Sequence, residues 1–242
     1  MSFTGSDISS NAESLVQQLE DLYRDPTVAA AYWSAFQTTA AIDAQHQVAH
    51  PPSEPGVARV VAGAANRYSL TRFRLYHVEP DYYAWSLARR MARLHAPTRD
   101  HLCKTLVMQN TRHSATAASA AQGDPKVTYA KYYMVVVQYT RKLNAQRLLN
   151  YARDLAGGKI GKQHFNFRLV DPETSLELTG FDTGGVTPFG VTTEMPIILA
   201  AEVATKLDPG VMWLGAGHVD WKIAVPVREF VKQSACLVAD IY

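Results

Sequence analysis

From Gly180 to Gly190 the chain reads Gly-Phe-Asp-Thr-Gly-Gly-Val-Thr-Pro-Phe-Gly, and four glycines with one proline in eleven residues exclude both an ordinary helix and an ordinary strand. A shaped loop is what remains. Gly184 and Gly185 permit positive φ and a close approach of backbone to a bound group, while Pro188 fixes one end. Amide N–H groups exposed by such a loop can hold a carbonyl oxygen or a developing oxyanion with no charged side chain. A structural turn between two strands uses the same composition, and the loop alone leaves both readings open.

The chain has 242 residues and 47% hydrophobic content, enough for one large domain or an ordinary domain with an extension. Its longest apolar runs, Tyr132 to Val137 and Val211 to Leu214, are too short to cross a bilayer, and the acidic, serine-bearing start lacks the pattern of a signal peptide. A cytoplasmic chain is expected. Cys103 and Cys236 are the only cysteines, which excludes a disulfide framework and an all-cysteine zinc site, leaves a single bridge between them open, and favours buried free thiols. The net charge of +2 is too small for a general nucleic-acid coat. Charge is nonetheless uneven: Asn66 to Leu106 holds eight Lys and Arg against three acids, a segment of +5 beside a remainder of −3. That segment suits either a phosphate-binding face or a solvated helix surface.

Ser10 and Glu13 have capping-box spacing and predict a helix from about Asn11. Asp25-Pro26 stops it and caps a second helix with Val28, Tyr32, Ala35, Phe36 and Thr39 inward. Pro51 to Gly56 reads as a linker, so residues 1–65 form a helical extension and 66–242 the main domain. There, Arg72–Val78, His101–Gln109, Tyr132–Tyr139, His164–Leu169, Ile197–Ala200, Met212–Leu214, Trp221–Val225 and Leu237–Ile241 read as strands. Helices are expected after Asp81, from Asn144 to Leu155, after Asp171-Pro172 and from Val227 to Gln233, and Thr111–Lys126 reads as a mobile insertion in a hairpin tip. The order implies a mixed α+β fold around one sheet or an open barrel.

Lys104 is the second candidate residue. Strand alternation places it with Leu102, Leu106 and Met108 on a face expected to point inward, where a lysine is out of pattern unless its ammonium reaches a pocket mouth and meets a phosphate. The bland alternative swaps the faces, or packs the stem and leaves the head in water. Gly215-Ala216-Gly217-His218 follows a strand and permits a ligand close to backbone, or makes a hairpin turn; His218 has no second metal-ligating group at a recognised spacing. No nucleophilic triad, phosphate-loop motif, dinucleotide fingerprint or metal set is visible, and no cofactor or metal is expected. Asp182 and Glu194 flank the loop without evidence that they converge.

With Cys103-Lys104-Thr105-Leu106-Val107, Leu178-Thr179-Gly180-Phe181, the run Gly184 to Gly190 and Val211 to Ile223 in the same order, the chain resembles the YbaK and prolyl-tRNA synthetase-associated editing-domain superfamily over residues 67–242. The segments around Tyr82, Tyr132 and Trp213 resemble its longer eukaryotic-type branch. The resemblance implies a barrel-like mixed fold and hydrolysis, in trans, of the ester joining a wrong amino acid to the terminal adenosine of a tRNA. Binding pockets reject near-isosteric amino acids too weakly, and a second pocket supplies the second sieve. On that pattern the amides of Gly184, Gly185, Val186, Thr187 and Pro188 polarise the carbonyl, Lys104 anchors an acceptor-end phosphate, and Phe189, Gly215, Gly217 and His218 line the substrate site. Water, or a thiol or ribose hydroxyl of the substrate, attacks. The implied partner is the aminoacyl-tRNA acceptor end, with a synthetase as a further partner, and neither membrane nor DNA. Leu214 departs from the small or polar residue of better-known subgroups and leaves the amino acid open. A small amino acid such as Ala, Ser or Cys on a proline tRNA or a related tRNA is the first expectation, with a non-catalytic module that binds aminoacyl-tRNA or a synthetase, or a hydrolase of small esters or thioesters, as alternatives.

Overall fold

Asp25 ends one helix and begins the next. α1 (Gly5–Tyr23) and α2 (Pro26–Ala49) meet there; the Asp25 carboxylate accepts from the amides of Thr27 (2.8 Å) and Val28 (3.2 Å), and Pro26 opens α2. The computed structural model describes residues 5–121 and 128–242, and it starts α1 at Gly5 rather than near Asn11. α2 buries Ala29, Phe36, Ala40 and Ala44, while Ala35 and Thr39 of the predicted stripe are exposed. Small alanines beside Phe36 let the helix axis come close to its neighbours, and this fit sets the buried face.

Only residues 51–54 of the predicted linker are irregular, because Pro55 takes the first position of α3 (Pro55–Ala62), which runs into a π turn at Gly63–Arg67. Val60, Val61 and Ala64 join the main hydrophobic core. β1 (Arg74–His77) follows, shorter than predicted. Asp81 does not cap the next helix: its carboxylate accepts from the Trp85 indole at 2.9 Å, Tyr82–Ala84 form a 3-10 turn, and the Ser86 hydroxyl caps α4 (Leu87–Leu94) through the Arg89 amide.

β2 (Cys103–Asn110) and β3 (Tyr132–Gln138) make the predicted antiparallel hairpin, with Lys104 opposite Val137. The insertion between them carries α5 (Ala115–Ala121), and its residues 122–126 lie outside the described residues. α6 (Ala145–Leu155) is capped by Asn144; β4 is only Phe167–Leu169 because residues 162–164 form a 3-10 turn; α7 (Pro172–Thr179) is capped by Asp171 and ends at Gly180 in the left-handed conformation. The remainder is β5 (Ile197–Ala200), α8 (Ala201–Lys206), β6 (Val211–Gly215), β7 (Trp221–Pro226), α9 (Val227–Ser234) and β8 (Leu237–Ala239).

The fold is α+β, as expected, with two open sheets rather than a closed barrel. One has the order β1-β7-β6 and the other β4-β2-β3-β5-β8, with β3, β5 and β8 parallel. β3 is an unbroken apolar run because it is central and covered on both faces; Tyr133 to Val137 are buried. The sheets touch at a bridge between Leu102 and Trp213. On its edge away from β3, β2 meets this bridge at one end and β4 only from Met108 onward. Residues 103–106 of that edge therefore lie in a gap between the sheets, which closes where the Val107 carbonyl accepts from the Val170 amide at 3.1 Å.

Candidate functional site

A cavity of about 300 Å³ occupies the gap. Its wall on the β2 side includes Lys104, Thr105 and Leu106, and the facing wall includes Thr183, Gly184, Val186 and Gly215. The lysine strand and the glycine loop thus share one cavity, although nearly eighty residues of chain separate them. On one face of β2 Cys103, Thr105 and Val107 are buried, and on the other Lys104 and Leu106 are half-buried between the buried Leu102 and Met108. Between its buried ends at Leu102 and Met108 the Lys104 face opens onto the cavity, and the lysine sits at that opening. Among the described residues no carboxylate pairs with Lys104, and its ammonium sits 5.3 Å from the Tyr139 ring centroid.

Gly184 has φ +91°, and a Cβ placed on it would lie 3.0 Å from both Tyr83 and Val219, so the loop needs glycine here for conformation and for space. The Gly185 amide already donates to the Asp182 carbonyl at 2.9 Å, and Pro188 has no N–H, so neither can supply the donor expected of it. Among the described residues the amides of Gly184, Val186 and Thr187 donate to no protein acceptor. A planar trans peptide points its C=O and N–H in opposite directions. Because the Gly217 amide donates to the Gly185 carbonyl at 2.8 Å, the Val186 N–H is fixed pointing away from Gly217. Two threonine hydroxyls, Thr105 and Thr187, are buried without a partner, and Thr105 lies on the cavity wall.

Other predicted site residues fall elsewhere. Phe189 is fully buried and meets Tyr68 and Phe230 edge-on, so it belongs to the core. Gly217 and His218 pack behind the loop and off the cavity wall; the His218 Nδ1 accepts from the Asp220 amide at 3.1 Å, which closes the turn. Thr187 and Pro188 are buried off the wall as well. Glu194 is taken by an ion pair with Arg67, and Asp182 is exposed, so the two do not meet as acid and base. Leu214 is buried behind the cavity, beside Trp213 and Lys222.

Sequence reasoning missed the aromatic and cationic backing of the site. The Tyr83 hydroxyl donates to the Gly184 carbonyl at 2.8 Å, and Tyr139 lines the same cavity. The Arg90 guanidinium donates to the Tyr83 carbonyl at 2.5 Å and lies within 5.1 to 5.8 Å of the Tyr82, Tyr83 and Tyr139 rings. Lys222, only 4% exposed, lies behind Tyr83. Desolvation pulls its ammonium down to about 8, which leaves it mostly charged at neutral pH. Burial raises the phenols of Tyr83 and Tyr139 and the Cys103 thiol, so all three stay protonated there. The wall carries no Asp, Glu or His among the described residues. Its chemistry is therefore neutral donors beside cations, suited to an anion or a polarised carbonyl.

The aminoacyl-tRNA editing domain family matches residues 88–232, more than half of the chain and both walls of the cavity. The chain belongs to the aminoacyl-tRNA editing domain family. A candidate trans-editing enzyme for prolyl tRNA synthetase has a similar crystal structure, with 19% identity and a TM-score of 0.57 over 78% of this chain and 98% of that one. A hypothetical protein of known structure is 21% identical with a TM-score of 0.52, covering 73% and 95% of the two chains. A scaffold used for computational epitope grafting is 18% identical with a TM-score of 0.55, covering 78% and 97%. These likenesses establish the editing-domain fold, and no curated protein matches in sequence. No helix among the described residues is long and apolar enough to cross a membrane.

Proposed function

We propose that the protein is a trans-acting deacylase that hydrolyses the ester of a mischarged aminoacyl-tRNA. The observation that carries this reading is the shared cavity: an unpaired Lys104 ammonium on one wall, and the unpartnered amides of Gly184 and Val186 on the other. Lys104 meets a phosphate of the single-stranded acceptor end as a point charge. The aminoacyl group enters the gap, and the loop amides take its carbonyl oxygen, bonding most strongly when the tetrahedral intermediate makes that oxygen an anion. Water attacks the carbonyl carbon, the bond to the ribose oxygen breaks, and the products are a free carboxylate and a tRNA hydroxyl. With no carboxylate or imidazole on the described wall, proton transfer falls to water or to a substrate group such as the neighbouring ribose hydroxyl.

A cavity of about 300 Å³ favours a small amino acid, and the structural likeness to a candidate trans-editing enzyme for prolyl tRNA synthetase makes Ala-, Ser- and Cys-charged proline tRNA the first substrates to test. Release of the amino acid is the measured quantity. We expect Lys104→Ala to lower kcat/KM at least about a hundredfold, the loss of a charge-assisted contact made near the reacting group, with its melting temperature unchanged. Stoichiometric binding of charged tRNA without release would instead assign the chain as a binding module. Turnover of free aminoacyl esters, indifferent to tRNA, would assign it as a small-ester hydrolase.

A further inference from the structure

Lys222 is a buried cation that the reaction above does not use. It sits in β7, opposite Gly215 of β6, where its stem leaves the sheet beneath the cavity. Its Nζ donates to the Val219 carbonyl at 2.6 Å and to the Trp221 carbonyl at 3.1 Å. The same nitrogen lies 5.1 Å from the Tyr82 ring centroid and 4.8 Å from that of Tyr83. No carboxylate neutralises it by an ion pair among the described residues; Asp220 acts on it only at longer range, and Arg90 opposes it. A buried, unpaired charge is costly, and a methionine of similar length would avoid that cost, so core packing alone does not explain a lysine here.

The two groups that Lys222 touches converge on consecutive loop residues. Tyr83, against whose ring it rests, donates through its hydroxyl to the Gly184 carbonyl. The turn whose carbonyls it binds carries Gly217, whose amide donates to the Gly185 carbonyl. Fixing both carbonyls fixes two peptide planes, and with them the amide of Val186. We infer that Lys222 is a positioning residue: a buried ammonium that pins Tyr83 and the 217–221 turn together, and through them holds the glycine loop with its donors set before substrate arrives. The inference rests on the reading of this loop as the reactive site, and it assigns Tyr83 to the same device. Preorganised donors stabilise a developing oxyanion without having to reorganise during the reaction, which is the advantage that offsets a costly buried charge.

The test is amide hydrogen exchange by NMR on the full chain without substrate, joined to deacylation kinetics. In Lys222→Met the Gly185 and Gly217 amides should exchange roughly five- to tenfold faster, the opening expected when one net hydrogen bond's worth of restraint is lost, while Val135 in the core keeps its protection. Tyr83→Phe should speed Gly185 in the same way, and the double variant should be no faster than Lys222→Met. In the kinetics kcat should fall with KM little changed, since the loop donors act on the transition state. A folded Lys222→Met with wild-type exchange at Gly185 and Gly217 overturns the inference. If that variant does not fold, Tyr83→Phe decides by itself, and unchanged exchange at Gly185 overturns it. Exchange needs no substrate, so a wild-type protein without deacylase activity would sink the proposed function and leave this result standing.

Discussion

His101 is buried at 1% exposure, with Nδ1 accepting from the Thr98 amide at 3.2 Å and Nε2 donating to the Pro209 carbonyl at 3.0 Å. An amide can only donate and a carbonyl can only accept, so these partners select the neutral Nε2–H tautomer. Desolvation lowers its pKa from 6.5 to about 4. Below pH 6.5 the unfolded chain takes up a proton that the folded one refuses, so this contribution to stability is complete above pH 6.5 and is lost as pH falls towards 4. Urea unfolding should show a loss of about 2 kcal/mol between pH 7 and pH 5 that is absent from His101→Gln. An equal pH dependence in both would contradict the neutral assignment. At this scale the sequence was half legible. Lys104 stood out because a lysine breaks the alternation of an apolar strand, whereas Phe189 looked like part of the site because it lies in the loop motif, and only its rotation into the Tyr68 and Phe230 cluster shows otherwise.

Among the elements, α3 and its π turn hold the glycine loop at both ends. Arg59 donates to the Gly180 carbonyl at 2.5 Å with its guanidinium 4.6 Å from the Phe181 ring centroid, and Gly63 packs directly on Gly190. A Cβ on Gly63 would lie 2.3 Å from the Gly190 nitrogen and 2.9 Å from its Cα, both backbone atoms without rotamer freedom. Gly63→Ala should therefore destabilise the chain by about 1–3 kcal/mol, the usual cost of overpacking, and reduce deacylation by displacing the loop. Wild-type stability in urea would contradict this contact. Helices with strong caps at Asp25, Asn144 and Asp171 could be read from sequence because capping is local. The brace could not, since Pro51 to Gly56 resembles a linker until Pro55 is seen opening a helix that fits against residues far along the chain.

At the scale of the whole molecule, the cavity exists because the two sheets meet at Leu102 and then part. Strand types and the α+β class were legible from apolar periodicity, and the order of motifs gave the family. The sheet orders, the divided edge of β2 and the approach of Tyr83 to Gly184 depend on pairings distant in sequence, which no local pattern encodes. Lys104 of β2 is the only charged side chain on the described cavity wall, while Arg90 of α4 and Lys222 of β7 lie behind it on backbone carbonyls, each brought there by the fold.

Release of amino acid from Ala-, Ser- and Cys-charged proline tRNA, by wild type beside Lys104→Ala, tests the account most directly. Catalytic turnover of at least one charged tRNA by wild type, reduced about a hundredfold or more in an equally stable Lys104→Ala, is the predicted result. Turnover that survives unchanged without the lysine, or no release from any of these or a wider panel of mischarged tRNAs, would contradict it.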